Sequence, residues 1–216
     1  SWSVNNIAFA EVMHTALSYF QAGRAEAGYK LLKSSVLDGM YLGDSPGNFG
    51  QISFYDAARG ECYRDFGDPI GVASRVLIQG LFGILPDALN QQIILRPGFP
   101  DDWDKASVST PDISYRFTRK EDTDTYHITQ RFQTPLHPVL QINARKEKIR
   151  SVKVNGVPAT WQSIESAHGY PLLSIQAEGT SSTTITIEWE GASLHTLAVQ
   201  ELVIASNGKL ALQIPS

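Results

Sequence analysis

The spacing of apolar residues changes character once along the chain, near Pro86: before it the period is helical, after it apolar and polar positions alternate. From Ile7 to Ala22 the polar residues Glu11, His14, Thr15, Ser18 and Gln21 recur three or four apart. They leave Phe9, Val12, Met13, Ala16, Leu17 and Phe20 on a broad apolar face, which predicts a packed helix with one wet edge. Asn5 or Asn6 stands where a side chain caps such a helix, and Gly23 where a residue of positive φ ends it. A second helix is expected from Arg24 to about Met40, carrying Ala25, Tyr29, Leu32, Val36 and Met40 at helical spacing. The very short connection makes the pair an antiparallel αα-hairpin. Residues 41–68 show no sustained period and hold six glycine or proline breaks with six aromatics. Asp68-Pro69 then reads as an N-cap and first-turn proline of a third helix, running through Val72, Val76, Leu77 and Leu81 to about Ile84.

Beyond Pro86 the segments 92–95, 113–117, 126–132, 139–143, 149–154, 172–176, 183–189, 197–204 and 210–214 are rich in β-branched and aromatic residues and are divided by turn signals. Asn155-Gly156 and Asn207-Gly208 are type I′ hairpin signals. Many short strands with no helix between them favour an antiparallel β-sandwich. The fold class expected is α+β by segregation, with helices in residues 1–85 and a sandwich in 86–216. Three helices leave Phe9, Leu17, Leu32 and Leu81 under-covered, so the helical part is expected to expose a large apolar surface or to bury it against further helices. The missing initiator methionine, and a helical period that starts almost at once, suggest a trimmed piece of a longer protein, with room for a signal peptide upstream.

Composition narrows the function classes. With 18 Lys plus Arg against 22 Asp plus Glu and no concentrated basic block, the net charge of -4 argues against nucleic acid as a partner. No run approaches the roughly 20 apolar residues that cross a bilayer, so no membrane partner is expected. The single cysteine, Cys62, forms no internal disulfide or cysteine-based zinc site and reads as buried. The histidines lack ligand spacing, and the glycine pairs of 43–47 and 80–83 lack the context of a phosphate loop, so neither metal nor other cofactor is expected. The charge cluster Arg145 to Arg150 reads as a solvated surface.

The densest chemistry lies between Asp38 and Asp68, where six acids (Asp38, Asp44, Asp56, Glu61, Asp65, Asp68) meet only Arg59 and Arg64 among many aromatics. Glycosidic cleavage needs one carboxyl group to protonate the leaving oxygen and another to activate water or attack, while aromatic faces take the apolar side of sugar rings. The same composition also suits aspartates that cap turns and arginines that pair with them. Glu61 ranks first as a catalytic acid, against a salt bridge to Arg59 or Arg64. Asp65 ranks second, against an ion pair with Arg64 or Arg75. Asp68 reads as a helix cap.

The string Gly80-Leu81-Phe82-Gly83-Ile84-Leu85-Pro86-Asp87-Ala88, then Ile94-Leu95-Arg96-Pro97-Gly98-Phe99-Pro100 and Trp103-Asp104-Lys105-Ala106, resembles the carboxy-terminal end of six-hairpin (α/α)-barrel glycoside hydrolases. Tyr41 to Asn48 and Arg64-Asp65-Phe66 with Asp68 further resemble a bacterial subgroup of such proteins, often known only as a domain of unknown function. The resemblance implies the last helices of an (α/α) toroid followed by a β-sandwich, with the remaining helices supplied by an upstream segment or another chain. It also implies a carbohydrate substrate, and a cleft beside which Glu61, Asp65, Arg59, Tyr55, Tyr63, Phe49 and Arg64 would stand. A periplasmic or extracellular place fits a parent protein of that kind. The alternative is a noncatalytic carbohydrate-binding or structural module.

Overall fold

The computed structural model describes residues 6–42, 54–56, 61–63, 68–164 and 171–194. Strand β1 (Asn6–Ala8) leads directly into helix α1 (Phe9–Gln21), which buries Phe9, Ala10, Met13, Ala16, Leu17 and Phe20 at the three-and-four spacing of one helical face. The residue before the helix is Ala8, in an extended conformation and without a side-chain cap. Asn6 is not the cap of α1: pairing in a sheet keeps the backbone extended through Ala8, so Asn6 lies two residues short of the cap position, and Asn5 lies outside the described residues. The other end follows expectation. Gly23 adopts φ +73, the Gly23 N–H donates to the Phe20 carbonyl (3.0 Å) and the Arg24 N–H to the Tyr19 carbonyl (2.9 Å), a Schellman closure.

Helix α2 (Ala25–Val36) runs on into a π-helical turn over Leu37–Leu42, and α3 (Asp68–Arg75) into another over Val76–Leu81. The third helical run stops at Leu81, three residues earlier than its period suggests. The Phe82 N–H reaches back to the Leu77 carbonyl (3.0 Å), Gly83 turns at φ +64, and Ile84 already belongs to strand β4 (Ile84–Asp87). Residues 41–68 are not wholly irregular. They hold the end of the first π turn and strands β2 (Phe54–Asp56) and β3 (Glu61–Tyr63), which with β1 make a small antiparallel sheet in the order β1-β2-β3.

The joint between helices and sheets explains the glycines of the 80–98 string. The Phe20 ring is enclosed by glycine backbone from three segments: a Cβ added at Gly28, Gly80 or Gly98 would come within 3.0, 2.7 or 2.3 Å of it. Contacts of C atoms settle near 3.5–4.0 Å, so Gly80 and Gly98 exclude any side chain while Phe20 stays in place, and at Gly28 the ring would have to give by a few tenths of an ångström. Gly83 stands against the Arg96 carbonyl, where a Cβ would fall at 1.9 Å, and its own carbonyl accepts from the Arg96 N–H at 2.8 Å. The Gly98 N–H donates to the Leu81 carbonyl (3.0 Å). Aromatic contacts continue the joint: Phe82 meets Phe99 edge-on at 5.5 Å, Phe99 stacks on Phe117 at 5.2 Å, and Tyr29 of α2 meets Trp103 edge-on at 5.0 Å.

After β4 come β5 (Gln92–Leu95), β6 (Lys105–Ser109), β7 (Ile113–Lys120), β8 (Thr123–Gln130), β9 (His137–Asn143), β10 (Lys146–Val154), β11 (Val157–Pro158), β12 (Gln162–Ile164), β13 (Leu172–Gln176) and β14 (Ser182–Ser193). They form two sheets, β11-β10-β14-β8-β7-β6 and β12-β13-β9-β5-β4. Together with the helices this is a mixed α+β fold. Every described pairing is antiparallel except β5 with β9, a departure from the all-antiparallel expectation. The chain leaves the second sheet after β5, builds β6 to β8 in the first, and returns beside β5 in the same direction. The inner faces alternate as a half-buried strand should: Ile113, Tyr115 and Phe117 on β7, Ile185, Ile187 and Trp189 on β14, facing a core shared with Ile93, Leu95, Leu140 and Ile175. Each such burial contributes roughly 1.5–3 kcal/mol. The Asn155-Gly156 turn takes φ +52 and +81, as a type I′ hairpin requires, and joins Val154 to its partner Val157. Segments 197–204 and 210–214, with Asn207-Gly208 between them, lie outside the described residues.

Candidate functional site

Of the residues singled out in the 38–68 segment, the small sheet carries Tyr55, Asp56, Glu61 and Tyr63. Its register sets Asp56 opposite Glu61, Tyr55 opposite Cys62 and Phe54 opposite Tyr63, with Asn6, Ile7 and Ala8 of β1 beside Asp56, Tyr55 and Phe54. Two acids and three aromatics thus fall within six residues of backbone on adjacent strands. Of the other candidates, Phe49, Arg59, Arg64 and Asp65 lie outside the described residues, as do the side chains of Tyr55, Glu61, Cys62 and Tyr63. Asp56 is the residue that sequence reasoning counted but did not rank. It is buried to 3% exposure and is engaged within the protein. The signal for the hairpin was present: Phe-Tyr-Asp and Glu-Cys-Tyr flank a four-residue connection ending in Gly60.

The other polar candidates of the helical part lie at the surface. On the wet edge of α1 the Ser18 hydroxyl donates to the His14 carbonyl (3.0 Å) and the Thr15 hydroxyl to the Glu11 carbonyl (2.9 Å), with His14 exposed. Asp68 is exposed in the first turn of α3, with Pro69 buried beside it. Among the described residues no group of three or more His, Cys, Asp or Glu side chains is placed to hold a metal ion.

The sandwich holds a charged cluster of its own. Asp124, 1% exposed, accepts from Arg119 Nε (2.8 Å) on one oxygen and from the Trp189 indole N–H (3.0 Å) on the other, and Arg145 Nε stands 3.7 Å away. That last contact is an ion pair without a hydrogen bond, since Arg145 Nε is buried and has no hydrogen-bonding partner. Burial opposes the charge on Arg119, yet the hydrogen bond and charge of Asp124 outweigh it and leave the guanidinium pKa raised. Arg145 Nη2 donates to the Glu121 carbonyl (2.8 Å), and Lys146 Nζ lies 2.6 Å from Asp122, whose pKa is lowered chiefly by that hydrogen bond. Arg145 and Lys146 are therefore not a freely solvated surface: they clamp the turn between β7 and β8. Arg150, exposed and paired with Glu190 at 3.4 Å, does follow that expectation. Within the core, burial pushes the hydroxyls of Tyr115 and Tyr126 well above the usual phenol range. With Asp124 1% exposed and tied to Arg119, Arg145 and Trp189, the cluster fastens β7, β8 and β14 to one another.

No family model and no curated protein matches the chain. Among solved structures, it is similar to an α-L-rhamnosidase from Dictyoglumus thermophilum, with 16% identity and a TM-score of 0.38 over 56% of this chain and 14% of that one. It is also similar to a GH127 β-L-arabinofuranosidase from Geobacillus stearothermophilus T6, with 10% identity and a TM-score of 0.35 over 83% of this chain and 30% of that one. Both are glycoside hydrolases, and the chain spans less than a third of either. At such TM-scores neither likeness bears on how this chain works.

Proposed function

We propose that the chain is the carboxy-terminal part of a carbohydrate-active enzyme, a glycoside hydrolase acting on a poly- or oligosaccharide, with the 38–68 segment lining the sugar cleft. The observation that carries this reading is the β2–β3 register, which gathers Asp56, Glu61, Tyr55 and Tyr63 onto one short hairpin. Glu61 would serve as acid or base and Asp65 as the second carboxyl group, with Arg59, Arg64, Tyr55, Tyr63 and Phe49 binding the sugar. Asp56, being buried, would position its neighbours and not touch the sugar. Residues 1–85 would form the last helices of an (α/α) barrel and residues 86–216 its closing sandwich. In support of missing helices, Ile7, Leu37, Tyr41, Ile70 and Leu77 are all exposed on the helical part, Tyr41 at 61%. Among the described residues no helix is long and apolar enough to cross a membrane.

The test is Glu61→Gln in the full-length protein, assayed on a panel of plant polysaccharides and aryl glycosides. Removing the ionisable group while keeping the shape should lower turnover by about 10²- to 10⁴-fold and leave sugar affinity and melting temperature unchanged. Lower stability with unchanged specific activity would make Glu61 a structural partner of Arg59 or Arg64 and transfer the role to Asp65.

A further inference from the structure

The helices meet the sandwich at one end, where β4 begins, β5 finishes and Asn143 at the close of β9 lies near Gly23. At the opposite end no residue of α1, α2 or α3 is among the described lining. There the β4–β5 turn, the start of β9, the β10–β11 hairpin and the residues after β13 surround an open depression of about 540 Å³. This is within the roughly 300–1,000 Å³ range of small-molecule sites. Along β9, seven residues at about 3.3 Å each separate it from the helical joint by some ~20 Å.

The lining has a definite chemistry. Asn90, Gln91, Gln92 and Gln176 contribute four neutral amides, His137 an imidazole and Glu178 a carboxylate. Val154 and Ala159 supply a small apolar floor. Two of the polar side chains, His137 and Asn90, are held by hydrogen bonds. The Gly179 N–H donates to His137 Nδ1 (3.0 Å), so Nδ1 is an acceptor and the ring proton sits on Nε2. Glu178 stands 3.7 Å from Nδ1 and is 92% exposed. Asn90 Nδ2 donates to Asp87 (2.8 Å), a bond that does not use its side-chain carbonyl oxygen. Gln91 is held at φ +55, uncommon for a residue other than glycine, by the bond from the His137 N–H to its carbonyl (2.8 Å).

The chemistry excludes most ligand classes. Among the described residues there is no Lys or Arg in the lining to hold a phosphate or carboxylate, no cluster of three or more His, Cys, Asp or Glu side chains to hold a metal ion, and no broad apolar wall for a lipid. Planar amides, an imidazole that accepts at Nδ1 and one carboxylate offer hydrogen-bond donors and acceptors with no Lys or Arg cation among them, which match the hydroxyls of a neutral sugar. We infer that this end of the sandwich is a noncatalytic subsite for a neutral saccharide unit, separate from the 38–68 hairpin. The inference stands on the lining chemistry alone and does not need Glu61 to be catalytic.

The experiment is affinity electrophoresis of the full-length protein in gels carrying arabinoxylan, xyloglucan or galactomannan, with polygalacturonate as the acidic control. At least one neutral polymer should retard the protein and polygalacturonate should not. Gln176→Ala/Glu178→Ala, both at exposed positions, should weaken the retardation at least tenfold without altering the melting temperature, and Gln176→Ala alone serves if the double variant does not fold. Glu61→Gln should keep the retardation. Absence of retardation by all three neutral polymers, retardation by polygalacturonate instead, unchanged retardation in a folded Gln176 variant, or its loss in Glu61→Gln would each overturn the inference.

Discussion

Replacing Gly98 by alanine places a methyl group 2.3 Å from Phe20 Cδ1 and 3.0 Å from Cε1, an overlap of more than 1 Å against ordinary carbon contact. The ring has nowhere to go, because Gly80 and Gly28 back it at 2.7 and 3.0 Å by the same measure. Overpacking of this kind costs about 1–3 kcal/mol. Phe20→Ala, which empties a site only 5% exposed, costs about 3–5 kcal/mol. The two should not add. Without the ring, the methyl at position 98 keeps only its 3.1 Å approach to the Gly80 carbonyl, so the double variant recovers most of the Gly98→Ala cost, a coupling of about 1–2 kcal/mol. Gly83→Ala is the control: its clash is with the Arg96 carbonyl and its φ is +64, so Phe20→Ala should not rescue it. Urea unfolding followed by circular dichroism measures all five variants. Phe20 and Gly98 effects that add within about 0.5 kcal/mol would refute the enclosure of the ring by the three glycines.

Asp124→Ala strands the Arg119 guanidinium and the Trp189 indole N–H inside the sandwich and should cost about 3–5 kcal/mol, read as a drop in melting temperature of roughly 6–20 °C with a change in Trp189 fluorescence. Specific binding to any polysaccharide should survive in the folded fraction of that variant. Asp122 has its pKa lowered by Lys146, so what it adds to stability is present above the ordinary carboxylate pKa and is lost as pH falls through the lowered folded value. The difference in melting temperature between the native protein and Asp122→Asn, scanned from pH ~7 to pH ~2, should therefore shrink toward zero at the acid end. A constant difference across that range would exclude the Lys146 contact as its source.

The helical periods were legible before any coordinates because they depend on local spacing. Phe9, Met13, Ala16, Leu17 and Phe20 share a face by the geometry of the helix itself, and Gly23 ends it through a backbone conformation that its lack of a side chain permits. The alternation of β7, β8 and β14 and the Asn155-Gly156 turn are local in the same sense. Less was readable wherever a partner distant in sequence decides the outcome. Asn6 reads as a cap until β2 pairs with it. Arg145 and Lys146 read as surface until the β7–β8 turn is folded beneath them. The parallel return of β9 beside β5 and the groove at the far end of the sandwich have no period at all, since four separate turns must converge to make them. The glycines of the 80–98 string were visible as a motif, but their reason was not: it lies in Phe20, some sixty residues earlier, around whose ring the tertiary fold closes three stretches of bare backbone.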